Sequence, residues 1–306
     1  MSKQSKNPET IALHGGDYRS DPSTNAVAVP IYRTTSYQFD STEHAANLFA
    51  LKEFGNIYTR IMNPTNDVLE KRVAALENGL ACVTVGSGQA ASTFAILNVC
   101  QAGDNFVSST DLYGGTVNLF THTLKKLGIE VRYADPSDPK NFEKAIDDKT
   151  RCFYAETLPN PALRVFPIKE VSDIGRKHNI PLIMDNTASP IICKPLEHGA
   201  AVVIHSLTKF INGASDTVGG IICSDEEFIR EVIDVNTGSV MLLGPVMDSM
   251  RAASILKNIR TLHLRMKKHS MNAQFLAHKF QQDGVRVIYP GLESHPQHKL
   301  MRQSAN

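Results

Sequence analysis

Apolar positions along the chain fall into two patterns, short buried runs and helical stripes, which alternate regularly from Asn66 onward. Residues 1–65 differ: they carry little helical periodicity and many turn formers, among them Gly15-Gly16, Pro22, Pro30 and Asn63-Pro64. That stretch predicts an extended arm with one short helix near residues 42–52. An arm of this kind has little core of its own, so it is expected to lie on a partner subunit. From Asn66, the residues Leu69, Val73 and Leu76 share a helical face, and Gly79 stands where a C-cap glycine is expected. Ala81–Val85 then reads as a buried strand, followed by Gly86-Ser87-Gly88 and a helix over residues 89–100. Further strands are predicted over residues 105–108, 129–134, 151–156, 181–185, 201–205 and 218–223, with helices over 116–127, 141–147 and 168–177. Strands alternating with helices argue for an α/β fold with a mostly parallel sheet covered on both faces. After Glu226 the pattern turns helical. Residues 247–269 read as one long helix and 272–283 as another, before a strand over 285–289. The expected organisation is an arm (1–65), a large domain (66–246), and a connecting helix with the start of a smaller domain (247–306).

Composition excludes several classes. The chain has 306 residues and a formal net charge of +1, with acidic and basic residues mixed throughout, so nothing resembles a nucleic-acid-binding stripe. The five cysteines are widely spaced with no C-x-x-C pair, which reads as buried free thiols in a reducing compartment. No metal site is expected. The N-terminal residues lack the apolar run of a signal peptide, and no stretch approaches the ~20 apolar residues of a membrane span. A soluble cytoplasmic protein acting on small molecules is the expectation.

Ligands of such sheets sit beyond the carboxyl ends of the strands, and three of those ends are chemically loaded. Gly86-Ser87-Gly88-Gln89 joins a strand to a helix; it is either a tight glycine turn or a phosphate site built from free helix-start amides. With Ala91 and Asp111 it also fits a dinucleotide fingerprint. Asp185 closes a buried strand. It either caps the next turn or faces a cationic ligand, such as the protonated ring nitrogen of pyridoxal phosphate (PLP). Lys209 follows the run Val203-Ile204-His205 and is flanked by Ser206 and Thr208. It is either a solvated surface lysine or an amine that forms a Schiff base, with the two hydroxyls on a phosphate.

At these residues the sequence resembles the Cys/Met-metabolism family of PLP enzymes, which includes O-acetylhomoserine sulfhydrylase, cystathionine γ-synthase, the cystathionine lyases and methionine γ-lyase. The resemblance runs from about Leu13 to the end. It rests on Tyr58-Thr-Arg60-Ile-Met-Asn63-Pro64-Thr65, Gly86-Ser-Gly88-Gln-Ala90, Asp111-Leu-Tyr113-Gly-Gly115-Thr116, Asp185-Asn-Thr187, Ser206-Leu-Thr208-Lys209 and Tyr289-Pro-Gly291-Leu-x-Ser294-His-Pro-Gln-His298. It implies the aspartate-aminotransferase-like fold (PLP fold type I) and a homodimer or homotetramer with shared sites. Lys209 would carry PLP and shuttle the Cα proton, Asp185, with Thr187 beside it, would pair with the ring nitrogen, and Tyr113 would stack on the ring. Ser87, Gly88, Gln89, Ser206 and Thr208 would surround the phosphate, joined by Tyr58 and Arg60 from the neighbouring subunit. The implied reaction is γ-replacement on an activated homoserine, most like O-acetyl-L-homoserine plus sulfide giving homocysteine and acetate, with cystathionine γ-synthase or γ-lyase chemistry as the alternative. Glycine at position 115, where methionine γ-lyases carry cysteine, argues against that activity.

The sequence departs from the family at Gly213-Ala214-Ser215-Asp216, where Gly-His-x-Asp is usual, and near residues 244–262, where a Ser-Pro segment is replaced. The resemblance further implies a longer small C-terminal domain, carrying the arginine that grips the substrate carboxylate, for which no substitute is read within these 306 residues. The alternatives to an active γ-replacement or γ-elimination enzyme are a shortened PLP-binding relative with little catalysis, and a dinucleotide-binding oxidoreductase read from Gly86–Ala91.

Overall fold

A computed structural model describes residues 7–16, 21–50, 52–53 and 55–305. Seven strands form one sheet: β1 (Ala81–Val85), β2 (Asn105–Ser109), β3 (Glu130–Ala134), β4 (Thr150–Glu156), β5 (Leu182–Asp185), β6 (Val202–Ser206) and β7 (Gly220–Ser224). Their spatial order is β1-β7-β6-β5-β4-β2-β3. The five strands from β6 to β3 run parallel, while β7 is antiparallel to both β6 and β1.

Period-2 alternation divides the strand residues between two faces. Cys152 and Tyr154 of β4, Ile183 of β5 and Ile204 of β6 join a core with the helix Gly88–Val99. Phe153 and Ala155 of β4 and Leu182 and Met184 of β5 pack on the opposite face, against Val171 and Ile174 of the helix Ile168–Lys177. Beside them, Val203, Ile221 and Cys223 meet the helices Pro64–Glu77 and Ser249–Asn258. Because both faces are covered, the central strands read as nearly continuous apolar runs, as parallel sheets do. All five cysteines are buried free thiols. Among the described residues no helix is long and apolar enough to cross a membrane.

The structure corrects several expectations. The mostly parallel sheet stands, with β7 and β1 adding an antiparallel end that the sequence pattern did not state. The helix Pro64–Glu77 ends on Asn78, which takes the left-handed conformation (φ 57°) assigned from sequence to Gly79. Gly79 is needed for another reason: a Cβ there would lie 2.3 Å from Cys223 Sγ. The single helix expected over 247–269 is two, Ser249–Asn258 and Leu262–Gln282, joined by a 3-10 turn at Ile259–Thr261. The buried stripe Ile255, Ile259, Leu262, Met266 runs unbroken through that turn, so periodicity could not reveal it. The helix expected over 116–127 starts at Gly114 and widens into a π-helix at Leu119–Leu124. No strand forms over 285–289: Val285 and Ile288 are exposed, and this backbone joins no ladder among the described residues.

Candidate active site

A cavity of about 1370 Å³ opens at the carboxyl ends of β4, β5 and β6. Strand parity explains what faces it. Glu156, Asp185 and Ser206 follow Tyr154, Ile183 and Ile204 by two residues, so all three project toward the face that carries the helix Gly88–Val99.

The helix contributes its N-terminus. Ser87 is the N-cap, its hydroxyl accepting the Ala90 N–H at 3.1 Å, and the first-turn amides of Gly88 and Gln89 have no carbonyl within the helix to bind. They leave free donors at the cavity wall, of the kind that can hold an anion. Gly88 is held against β6, since a Cβ there would lie 2.6 Å from Ser206 Cβ. Gly220 of β7 sits still closer to the turn, where a Cβ would lie 2.1 Å from the Ser87 carbonyl oxygen. The cup therefore needs two glycines, of which the sequence reading singled out one.

Lys209 lies in the turn after β6, anchored by its backbone N–H to Ser206 O at 3.2 Å and by its carbonyl, which accepts from Gly213 N at 2.8 Å. Its Nζ makes no hydrogen bond or ion pair among the described residues and lines the cavity. Thr208 Oγ1 accepts from Gly219 N at 3.1 Å and lies 3.3 Å from Gly219 O, so that hydroxyl is partly committed to the backbone. Thr187 links two strands: its N–H donates to Asp185 Oδ1 at 2.9 Å, and its Oγ1 accepts from Ser206 N at 2.7 Å.

Burial pushes the Asp185 carboxyl above its ordinary range, partly offset by the Thr187 hydrogen bonds and by His205 behind it. A buried carboxylate facing a cavity without a cationic partner favours a ligand that brings positive charge. Tyr113 is 53% exposed over the same cavity, and its backbone N–H donates to Glu156 Oε1 at 2.7 Å. The Gln89 carboxamide reaches Thr116 Oγ1 at 3.4 Å and leaves its buried Oε1 unpartnered. An anion cup, a free amine, a carboxylate lacking a cation and an aromatic face thus surround one space. Those are the contacts that the phosphate, aldehyde, ring nitrogen and ring of PLP require, so the residues fit that cofactor.

The structure therefore brings Ser87, Gly88, Gln89, Tyr113, Asp185, Thr187, Ser206, Thr208 and Lys209 to one cavity. Tyr58 and Arg60 lie outside it, in the segment before the helix Pro64–Glu77. The Arg60 guanidinium donates to Met241 O and stands 5.9 Å from the Tyr58 ring centroid. Asp111 faces Arg164, with Nε 3.4 Å from Oδ2. The oxidoreductase reading fails on topology: β1, which leads into the glycine turn, is an edge strand paired antiparallel, whereas dinucleotide folds begin on a parallel inner strand. Two guanidinium groups line the cavity, and both are engaged. Arg251 donates to Asp248 Oδ2, and Arg265 donates to the carbonyls of Phe210 and Ile211. Glu156 escaped the sequence reading although it carries the same signal as Asp185, a carboxylate closing a buried strand.

The chain matches the family model described as Cys/Met metabolism PLP-dependent enzyme over residues 9–306. It is 46% identical to O-acetyl-L-homoserine sulfhydrylase of Leptospira meyeri, over 94% of this chain and 74% of that protein. It is 42% identical to O-acetyl-L-homoserine sulfhydrylase 1 of Thermus thermophilus, over 95% of this chain and 76% of that protein. Among solved structures it is similar to a Campylobacter jejuni protein that contains N'-pyridoxyl-lysine-5'-monophosphate. The TM-score is 0.91 at 34% identity, over 98% of this chain and 82% of that one.

Proposed function

The chain belongs to the Cys/Met-metabolism family of PLP-dependent enzymes, and from that premise we propose that it catalyses γ-replacement on O-acetyl-L-homoserine, with sulfide giving homocysteine and acetate. The observation that carries the reading is the convergence of Lys209, Asp185 and the Gly88 helix start on one cavity, in a chain 46% identical to an O-acetyl-L-homoserine sulfhydrylase. When bound, PLP supplies an electron sink for charge developing on the substrate.

The residues divide the work. The amides of Gly88 and Gln89, with Ser87, Ser206 and Thr208, bind the phosphate. Asp185, oriented by Thr187, holds the ring nitrogen protonated. Tyr113 covers the ring face and excludes water from it. Lys209 would be the covalent anchor, and its Nζ would take the substrate Cα proton and return one later. Loss of acetate from Cγ and addition of sulfide there complete the exchange. Tyr58 and Arg60, which lie outside this subunit's cavity, act on the phosphate of a neighbouring subunit in a homodimer or homotetramer. A reducing cytoplasm suits the five free thiols.

The test is homocysteine formation from O-acetyl-L-homoserine and sulfide by the PLP-loaded protein. Turnover that disappears in Lys209→Ala supports the reading. A folded, PLP-loaded chain without turnover would refute catalysis and leave a PLP-binding relative. Gel-filtration mass, with and without Arg60→Ala, tests the shared site.

A further inference from the structure

Glu156 is the buried carboxyl of the cavity that the proposed reaction leaves without a task. It closes β4 as Asp185 closes β5, and the two are direct neighbours across the parallel ladder. The residue is about 8% exposed. Oε1 accepts the Tyr113 N–H at 2.7 Å, and the Asn160 N–H bonds the same carboxyl. Tyr113 is half-exposed and its hydroxyl makes no hydrogen bond among the described residues. Its carbonyl accepts from Thr116 N and Val117 N within its own loop and helix, so the Glu156 contact is the one that ties it to the sheet. Tyr113 is also the residue from which the helix Gly114–Asn118 starts. Its amide is thus the point where the loop after β2 is tied to the centre of the sheet.

We propose that Glu156 is a positioning residue of the cofactor site: by holding the Tyr113 amide it fixes the Tyr113 ring over bound PLP, and it does so in electrostatic partnership with Asp185. The proposal rests on reading the cavity as a PLP site and adds a residue to it.

Two neighbouring carboxyls in a buried site oppose each other's ionisation. Burial first, and then Asp185, push Glu156 up to about 8, against the Tyr113 and Asn160 hydrogen bonds that favour its charge. The other groups around it are accounted for. Tyr154 lies within β4, its phenol raised by burial and by both carboxyls and bonded to Ser92 at 3.0 Å. Lys209 shares the cavity, Arg251 and Arg265 are engaged elsewhere, His269 packs on Phe210, and Asp216 is held by Asn212. Among the described residues neither carboxyl forms an ion pair, and only His205, behind Asp185, favours the charge of one of them. A cationic ring nitrogen against Asp185 would supply a positive charge, and Glu156 would then ionise more readily. An ionised acceptor holds an N–H about twice as strongly as a neutral one. Filling the site and tightening the hold on Tyr113 are therefore linked through the two carboxyls.

The test needs no turnover. The full chain is stripped of cofactor and titrated with PLP by absorbance from pH 6 to pH 9, as wild type, Glu156→Gln and Glu156→Ala. Glutamine keeps an acceptor for the Tyr113 amide but cannot ionise. Taking the ratio of Kd values, variant to wild type, cancels the cofactor's own ionisations. The ratio for Glu156→Gln is expected to rise from about 1 at pH 6 to roughly tenfold at pH 9. Glu156→Ala is expected to bind several-fold more weakly even at pH 6. A Glu156→Gln ratio constant with pH would overturn the proposal, whatever the fate of Glu156→Ala. If the wild-type chain itself fails to bind PLP, the cofactor reading fails instead, and the two failures are distinguishable.

Discussion

Behind the cavity, on the opposite face of the sheet, lies a buried polar cluster whose removal should be costly. Glu77 Oε1 stands 2.7 Å from His205 Nε2 and accepts from Asn186 Nδ2 at 3.1 Å, and all three residues are buried. Asn186 Nδ2 also donates to Cys193 O at 2.8 Å, while its Oδ1 accepts from Thr157 Oγ1 at 3.1 Å. Glu77→Ala leaves the His205 ring nitrogen and one Asn186 proton without a partner. Each unsatisfied buried group costs about 1–3 kcal/mol, so the expected loss is roughly 2–6 kcal/mol, with the vacated volume adding to it. Glu77→Gln keeps one acceptor, but its amide nitrogen falls where Oε2 now has no partner. One misfit group predicts a loss of about 1–3 kcal/mol. Urea unfolding of the cofactor-free protein measures both, provided the m-values match wild type. A Glu77→Ala loss below about 1 kcal/mol would refute the claim that this carboxyl satisfies two buried groups. So would an order in which glutamine costs more than alanine.

Other perturbations test the site and its supports. Gly88→Ala drives a Cβ to 2.6 Å from Ser206 Cβ, and overpacking of this kind costs about 1–3 kcal/mol. Because the displaced parts are the two walls of the anion cup, PLP affinity measured by absorbance titration should fall at least tenfold. Gly79→Ala places a Cβ 2.3 Å from Cys223 Sγ; a similar stability loss in urea is expected with PLP affinity unchanged. Stability should also depend on pH in a particular direction. Glu70 and Glu156 are raised to about 7 and about 8, chiefly by burial, from an ordinary 4.5. Between those values the folded state binds more protons than the unfolded one, so this contribution is present below about pH 4.5 and is lost as pH rises toward 8. The slope is on the order of 1 kcal/mol per pH unit per group. Urea midpoints of the cofactor-free protein from pH 5 to pH 8 should show it, and Glu70→Gln should flatten the lower part; an unchanged slope in that variant would count against the assignment.

The sequence by itself determined the parts that depend on local pattern. All seven strands of the sheet lie within a residue or two of where the sequence pattern placed them, and the central ones, covered on both faces, were the most nearly continuous apolar runs. The helix Ile168–Lys177 matches its expected limits, since Ile168, Val171 and Ile174 face the core while Lys169, Asp173 and Arg176 face water. Gly88, Asp185 and Lys209 each had an ordinary alternative as a tight turn, a turn cap or a surface lysine, and it was the family motifs around them, in the right order, that singled them out.

Tertiary structure alone decided how those ends meet. No periodicity states that β7 turns back antiparallel and carries β1 to the sheet edge, which is what removes the dinucleotide reading. Glu156 became a site residue only when β4 was found beside β5, so that its carboxyl lies next to Asp185 and under the Tyr113 amide. Gly220 matters because β7 passes the Ser87 carbonyl from more than a hundred residues away. The break at Ile259–Thr261 leaves the apolar stripe intact, so only backbone hydrogen bonding reveals it. Pattern records which face of an element is buried. Which element does the burying, and which charges become neighbours as a result, is fixed only when the chain closes on itself.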